Sequence, residues 1–104
     1  MKIRVDRESI CMGDDVLPHK VELEVSEDMT VEEFCSFLQK DRYLPGLDTE
    51  WLLRHGGQTV TSYNTETKEL TNPNVSLTEL IYQSSGDNEF VWIIKRRLHR
   101  KENR

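Results

Sequence analysis

Residues 89–95 read EFVWIIK, a run that is β-branched, aromatic and almost continuously apolar. A strand that is apolar on both faces belongs at the centre of a sheet, or has an outward face that meets something. Two phases are open. If Phe90, Trp92 and Ile94 turn toward a helix, Val91 and Ile93 turn outward; the opposite phase puts the aromatics outside. In either phase apolar groups reach the outer face. The rest of the chain must therefore build a sheet around this run.

The other segments supply it. Residues 2–6, KIRVD, alternate strictly, with Ile3 and Val5 on one face and Lys2, Arg4 and Asp6 on the other. Residues 20–25, KVELEV, repeat the pattern with Val21, Leu23 and Val25 inward. Between them CMGDDVLPH carries turn chemistry at Gly13-Asp14-Asp15 and ends on Pro18, so the two runs predict an antiparallel hairpin. Further on, EWLLR (50–54) and QTVTSY (58–63) flank Gly56-Gly57. Paired glycines between two strands predict a turn with positive φ.

One helix is expected over about residues 31–42. Thr30 and Glu33 have the spacing of a capping box, and Val31, Phe34, Cys35 and Leu38 form one apolar stripe. Lys40 and Arg42 suit the negative helix end, and Pro45-Gly46 is expected to enforce the stop. The polar stretch 64–74, with Asn72-Pro73-Asn74, reads as loop or a small surface hairpin. Residues 76–84 begin with the same box, Ser76 to Glu79, and predict one or two helical turns.

The 104 residues fit one domain, long enough to bury a core without disulfides or metal. Cys11, near a turn, and Cys35, on the apolar stripe, read as free thiols. No apolar run approaches the length of a bilayer span, and the first ten residues lack the apolar stretch of a secretion signal, so a cytoplasmic protein is expected. Charge is uneven. Residues 95–104, KRRLHRKENR, hold six basic residues and one acid, and subtracting this +5 from the net −5 leaves −10 on residues 1–94. An acidic body that repels phosphate, beside a tail without interleaved aromatics, argues against nucleic acid as partner.

The order strand, strand, long helix, strand, strand, short helical turn, strand resembles the ubiquitin-like superfamily. The resemblance covers residues 1–97. It is carried by MKIRV at the start, by VELEV leading through SEDMTVEEF into the helix, by WLLRHGGQTV, and by VSLTELIYQSSGDNEFVWIIKRR. It implies an α+β fold of β-grasp type: a mixed sheet of four to five strands packed on one main helix, with a short second helical turn. Residues 1–97 would be that domain, and 98–104 a basic tail expected to be flexible. Conjugating members and sulfur carriers of the superfamily end in Gly-Gly. Here the only Gly-Gly is internal, at 56–57, and the last residues are HRKENR. The expectation is a non-conjugating member.

No catalytic, cofactor or metal constellation stands out. The Gly56-Gly57 context lacks the spacing of a phosphate loop, and His19, His55 and His99 with the two cysteines lack metal-ligand spacing. Neither enzyme activity, a cofactor nor a small-molecule substrate is expected. The resemblance implies protein binding through the outer sheet face, and the candidate contact residues are Trp51, Leu53, Val91, Ile93 and Arg96. The alternative is that the 61–75 segment covers this face. Self-association through the sheet face or edge is a further expectation. Two roles stay open: a docking or accessory subunit, of the kind known in type VII secretion, or a small acidic immunity protein that neutralises a toxin.

Overall fold

The apolar last strand takes the centre of the sheet. A computed structural model describes residues 1–8, 19–44 and 49–97 of the chain. In order, the elements are β1 (Lys2–Arg7), β2 (Val21–Glu24), α1 (Val31–Lys40), β3 (Thr49–His55), β4 (Gln58–Asn64), α2 (Leu77–Gln83) and β5 (Glu89–Arg97). The strands form one mixed sheet in the order β2-β1-β5-β3-β4. β5 runs parallel to β1 and antiparallel to β3, so the first and last strands lie side by side. The fold is α+β. The expectations for Cys11, the Gly13-Asp14-Asp15 turn, Pro18, Pro45-Gly46 and the 98–104 tail fall outside the described residues.

The first of the two phases is the one observed. Phe90 and Trp92 are fully buried, and Ile94 packs against the same core. Trp51 and Leu53 of β3 join them, with Ile3 and Val5 of β1 and the α1 stripe Val31, Phe34, Cys35 and Leu38. Phe34 meets Phe90 edge-on at 5.6 Å and lies 5.9 Å from Trp92. Neither Trp51 nor Trp92 has a partner for its indole N–H among the described residues. Their contribution is therefore apolar burial and ring packing rather than hydrogen bonding.

α1 starts as its sequence dictates. Glu33 N–H donates to Thr30 Oγ1 at 3.2 Å, and Thr30 N–H donates to Glu33 Oε1 at 2.9 Å. It ends before the expected position. Arg42 sits in the left-handed region at φ 65°, Tyr43 N–H donates to Leu38 O and Arg42 N–H to Gln39 O. That pair of bonds is a Schellman closure, usually built on glycine. At α2 only half of the predicted box forms. Ser76 Oγ accepts Glu79 N–H, while the Glu79 carboxylate accepts from Gln83 Nε2 instead.

The glycine pair is a turn. Gly56 and Gly57 have φ of 59° and 79°, and His55 pairs with Gln58 across them. Positive φ at both central residues matches the twist of the flanking strands. A Cβ on Gly56 would lie 3.2 Å from Ser84 Cβ, so the turn also abuts the end of α2. After β4 the chain folds back along it. Tyr63 bridges Leu70, and Asn64 N–H donates to Glu69 O at 2.9 Å. Of the two readings of the polar 64–74 stretch, loop or small surface hairpin, the hairpin is the one observed.

Candidate protein-docking face

Alternation along each strand divides the sheet into a face against α1 and a face away from it. On β3, Thr49, Trp51, Leu53 and His55 are buried, while Glu50, Leu52 and Arg54 are half-buried. The structure thus corrects the sequence expectation for Trp51 and Leu53. Both are fully buried in the core, and the alternate set supplies the outer face. Trp51 is among the largest fully buried side chains and belongs to the same core cluster as the α1 stripe, so burying this set removes more apolar surface from water. Val91 and Ile93 are half-buried on the outer side of β5, as the sequence reading expects for this phase. Arg96 pairs with Glu50 through the backbone; its side chain is outside the description.

Register brings the outer apolar residues together. Leu52 lies directly opposite Ile93, and Arg54 opposite Val91. Leu52, Ile93 and Val91 form a small apolar centre across β3 and β5. Leu52 and Arg54, with the rim residues Glu50 and Lys95, lie outside the candidate set that sequence reasoning gave. Thr49 and His55, in phase with Trp51 and Leu53, give no hydrophobic signal that would single out the outer set.

The charges around this centre are held in place. Arg54 Nη1 donates to Thr59 Oγ1 at 2.8 Å, and Nη2 to the Gly57 carbonyl at 3.1 Å. The Gly56-Gly57 turn thereby fixes one guanidinium. Ser62 Oγ donates to Glu50 Oε2 at 2.6 Å, and Lys95 Nζ lies 3.5 Å from the same oxygen. At the strand start, Lys20 and Glu89 pair at 3.1 Å. An apolar centre with an ordered polar rim is the anatomy of a protein interface. Immobilised rim side chains also lose less entropy when a partner arrives.

Of the 61–75 segment, residues 64–75 fold back along β4 and border the outer face at Glu50 and Ser62. Thr71 and Asn72 reach β4 through Thr61 Oγ1 and the Val60 carbonyl, and Pro73 and Val75 reach the start of α1. Gln39 Nε2 of α1 donates to Thr65 O at 2.9 Å, and Tyr63 Oη donates to Gln39 Oε1. These bonds run along the β4 edge and the helix side.

Reactive groups are placed for structure. Cys35 is a free thiol in the core, and burial pushes its pKa up to about 12. A thiol so strongly held as SH is a poor nucleophile. Burial likewise pushes the Tyr63 phenol up to about 12 and raises Tyr43. Ser84 Oγ lies 3.5 Å from His55 Nε2, an apparent nucleophile and base. That nitrogen is 2.6 Å from the Asp87 carbonyl, which can only accept, so it carries its hydrogen there and has no lone pair for the serine. The His55 ring stacks on Phe90 at 4.4 Å and serves as part of the core wall. Among the described residues no group of three or more His, Cys, Asp or Glu is placed to hold a metal ion, and no helix is long and apolar enough to cross a membrane.

Comparison with family models, with curated proteins and with solved structures finds no match to this chain.

Proposed function

We propose that this chain is a non-enzymatic docking module of β-grasp, ubiquitin-like architecture, which binds a protein partner through the outer face of its sheet. The strand order β2-β1-β5-β3-β4, with a parallel central pair and α1 across one face, supports the β-grasp reading. One observation carries the functional reading. It is the Leu52–Ile93 cross-strand pair, with Val91, on the face away from α1, ringed by Arg54, Glu50 and Lys95 in fixed positions. Apolar side chains on a wet sheet face contribute little to the fold and much to a contact. The internal Gly56-Gly57 works as a hairpin turn and a clasp for Arg54, one of the rim side chains.

Affinity capture from the native host tests the reading. The bait is the chain itself beside its Leu52→Ser and Ile93→Ser variants. Captured proteins should be lost with both variants, while circular dichroism and unfolding midpoints stay near the parent. Retention of every captured protein by both variants would rule out the outer face.

The −10 charge on residues 1–94 keeps a second reading in play, an acidic inhibitor of a basic toxin. That reading requires a single, very tight partner whose association rate falls steeply with salt.

A further inference from the structure

The two edges of the sheet are finished differently. On β4 the outward backbone groups are occupied. The Val60 carbonyl accepts Asn72 Nδ2 at 2.7 Å, Ser62 N–H donates to Thr71 Oγ1 at 3.3 Å, and Asn64 N–H donates to Glu69 O at 2.9 Å. The returning segment thus closes this edge as a template for further strands.

Among the described residues β2 has no such cover. Val25 N–H donates to Met1 O at 2.8 Å, and the Met1 ammonium donates to Val25 O at 2.9 Å. In an antiparallel ladder this reciprocal pair fixes the alternation: Val25, Leu23 and Val21 spend their backbone groups on β1, and Glu22 and Glu24 turn theirs outward. Among the described residues nothing bonds to the backbone N–H or C=O of Glu22 or Glu24. Two donors and two acceptors therefore face outward along one short edge.

Charge decides what fits there. Glu22 and Glu24 are exposed on the face away from α1, and Val21 is one of the exposed large apolar residues, on the α1 side. Glu24 is held by the Met1 ammonium at 2.7 Å, and that charge lowers its pKa. The exposed acids continue through Glu27, Asp28 and Glu32. A second copy adding here by a two-fold axis would run antiparallel. Same-face residues would then pair: with the axis at Leu23, Glu22 stands opposite Glu24, which is destabilising, whereas an axis at Val21 sets Glu22 opposite Lys20, a lysine already paired with Glu89. A strand with basic residues on one face and apolar residues on the other meets the opposite situation.

We propose that the β2 edge accepts an extended protein segment of alternating basic and apolar residues. The segment adds as a sixth strand, with its basic side chains beside Glu22 and Glu24 and its apolar ones beside Val21 and Leu23. This site is distinct from the outer-face centre at Leu52 and Ile93 and does not depend on it.

The test is an NMR titration of the intact, nitrogen-15-labelled chain at low salt. The probe is a blocked peptide of about eight alternating lysine and valine residues, a typical strand length. Amide shifts should concentrate at residues 20–25 and leave 58–64 unmoved. Glu22→Lys should weaken binding about tenfold, since a cross-strand attraction becomes a repulsion. Methylating the peptide's backbone nitrogens should abolish binding, because the segment then cannot pair. The amide spectrum of Glu22→Lys establishes that the variant is folded. Three results would overturn the proposal: no binding to about 1 mM peptide, shifts centred on Leu52 and Ile93, or equal binding of the methylated peptide, which would mean charge attraction alone. Dimerisation through β2, seen as concentration-dependent shifts at 21–24 without peptide, would overturn it too.

Discussion

The two faces of β5 and β3 are made of similar residues put to different uses. Toward α1 stand Phe90, Trp92, Trp51 and Leu53, all fully buried. Away from it stand Val91, Ile93 and Leu52, half-buried among fixed charges. Neither hydrophobicity nor bulk separates Leu52 from Leu53; the side of the sheet on which the core forms does. The inner set excludes water completely and so carries stability. The outer set keeps part of its surface in water, so its free-energy gain is realised only when something covers it.

The comparison breaks most easily at Trp92. Trp92→Ala should cost about 3–5 kcal/mol of stability, read as a shift in the denaturant midpoint, because the cavity cannot refill. A loss no larger than that of Ile93→Ser would show that the faces are energetically alike. The next largest effect is alkaline. The Cys35 pKa is raised from 9.0 to about 12, so the folded chain keeps a proton that the unfolded chain releases. Its stability contribution is complete below about pH 9 and is lost as pH rises toward 12. Tyr43 and Tyr63, raised in the same direction, add to the slope. Unfolding midpoints from pH 8 to 11 should fall, and Cys35→Ala should flatten part of that fall.

A smaller gain sharpens the contrast. Arg42→Gly should stabilise the chain by about 1 kcal/mol, since a left-handed φ costs a residue with a Cβ roughly that much. Thermal unfolding checks it, and the variant gives a firmer background for outer-face changes. The smallest effects belong to Leu52→Ser and Ile93→Ser. Each should change stability by under about 1 kcal/mol, the scale of one cross-strand pair, while binding through the outer face is lost.

Much of the architecture was legible because local signals agreed. The α1 stripe, the Thr30–Glu33 box and the Gly56-Gly57 turn each specify their own geometry and appear as read. The phase of β3 was not legible. Trp51 and Leu53 alternate with Leu52, so periodicity leaves two answers, and only packing beneath α1 selects one. Bulges were hidden for the same reason. The shift between Leu53 and Arg54 against β4, and between Glu50 and Trp51 against β5, depend on neighbouring strands rather than on any residue type. The α1 stop was legible to within two residues, because Arg42 in a left-handed conformation is a silent signal.

The two helix starts lie against each other. Thr30 and Ser76 form an isolated antiparallel bridge, with Val31 N–H donating to Val75 O and Leu77 N–H to Met29 O. First-turn amides of a helix are ordinarily free to exchange with solvent. Here α1 spends two of them, Val31 and Glu32, and α2 spends one, Leu77, on the segment that precedes the other helix. Neither helix can fray from its start without releasing its neighbour. Hydrogen exchange should find Val31 and Leu77 opening together, at one common free energy, and losing protection in step when either cap is removed. Two elements about forty residues apart in the chain would then behave as a single cooperative unit.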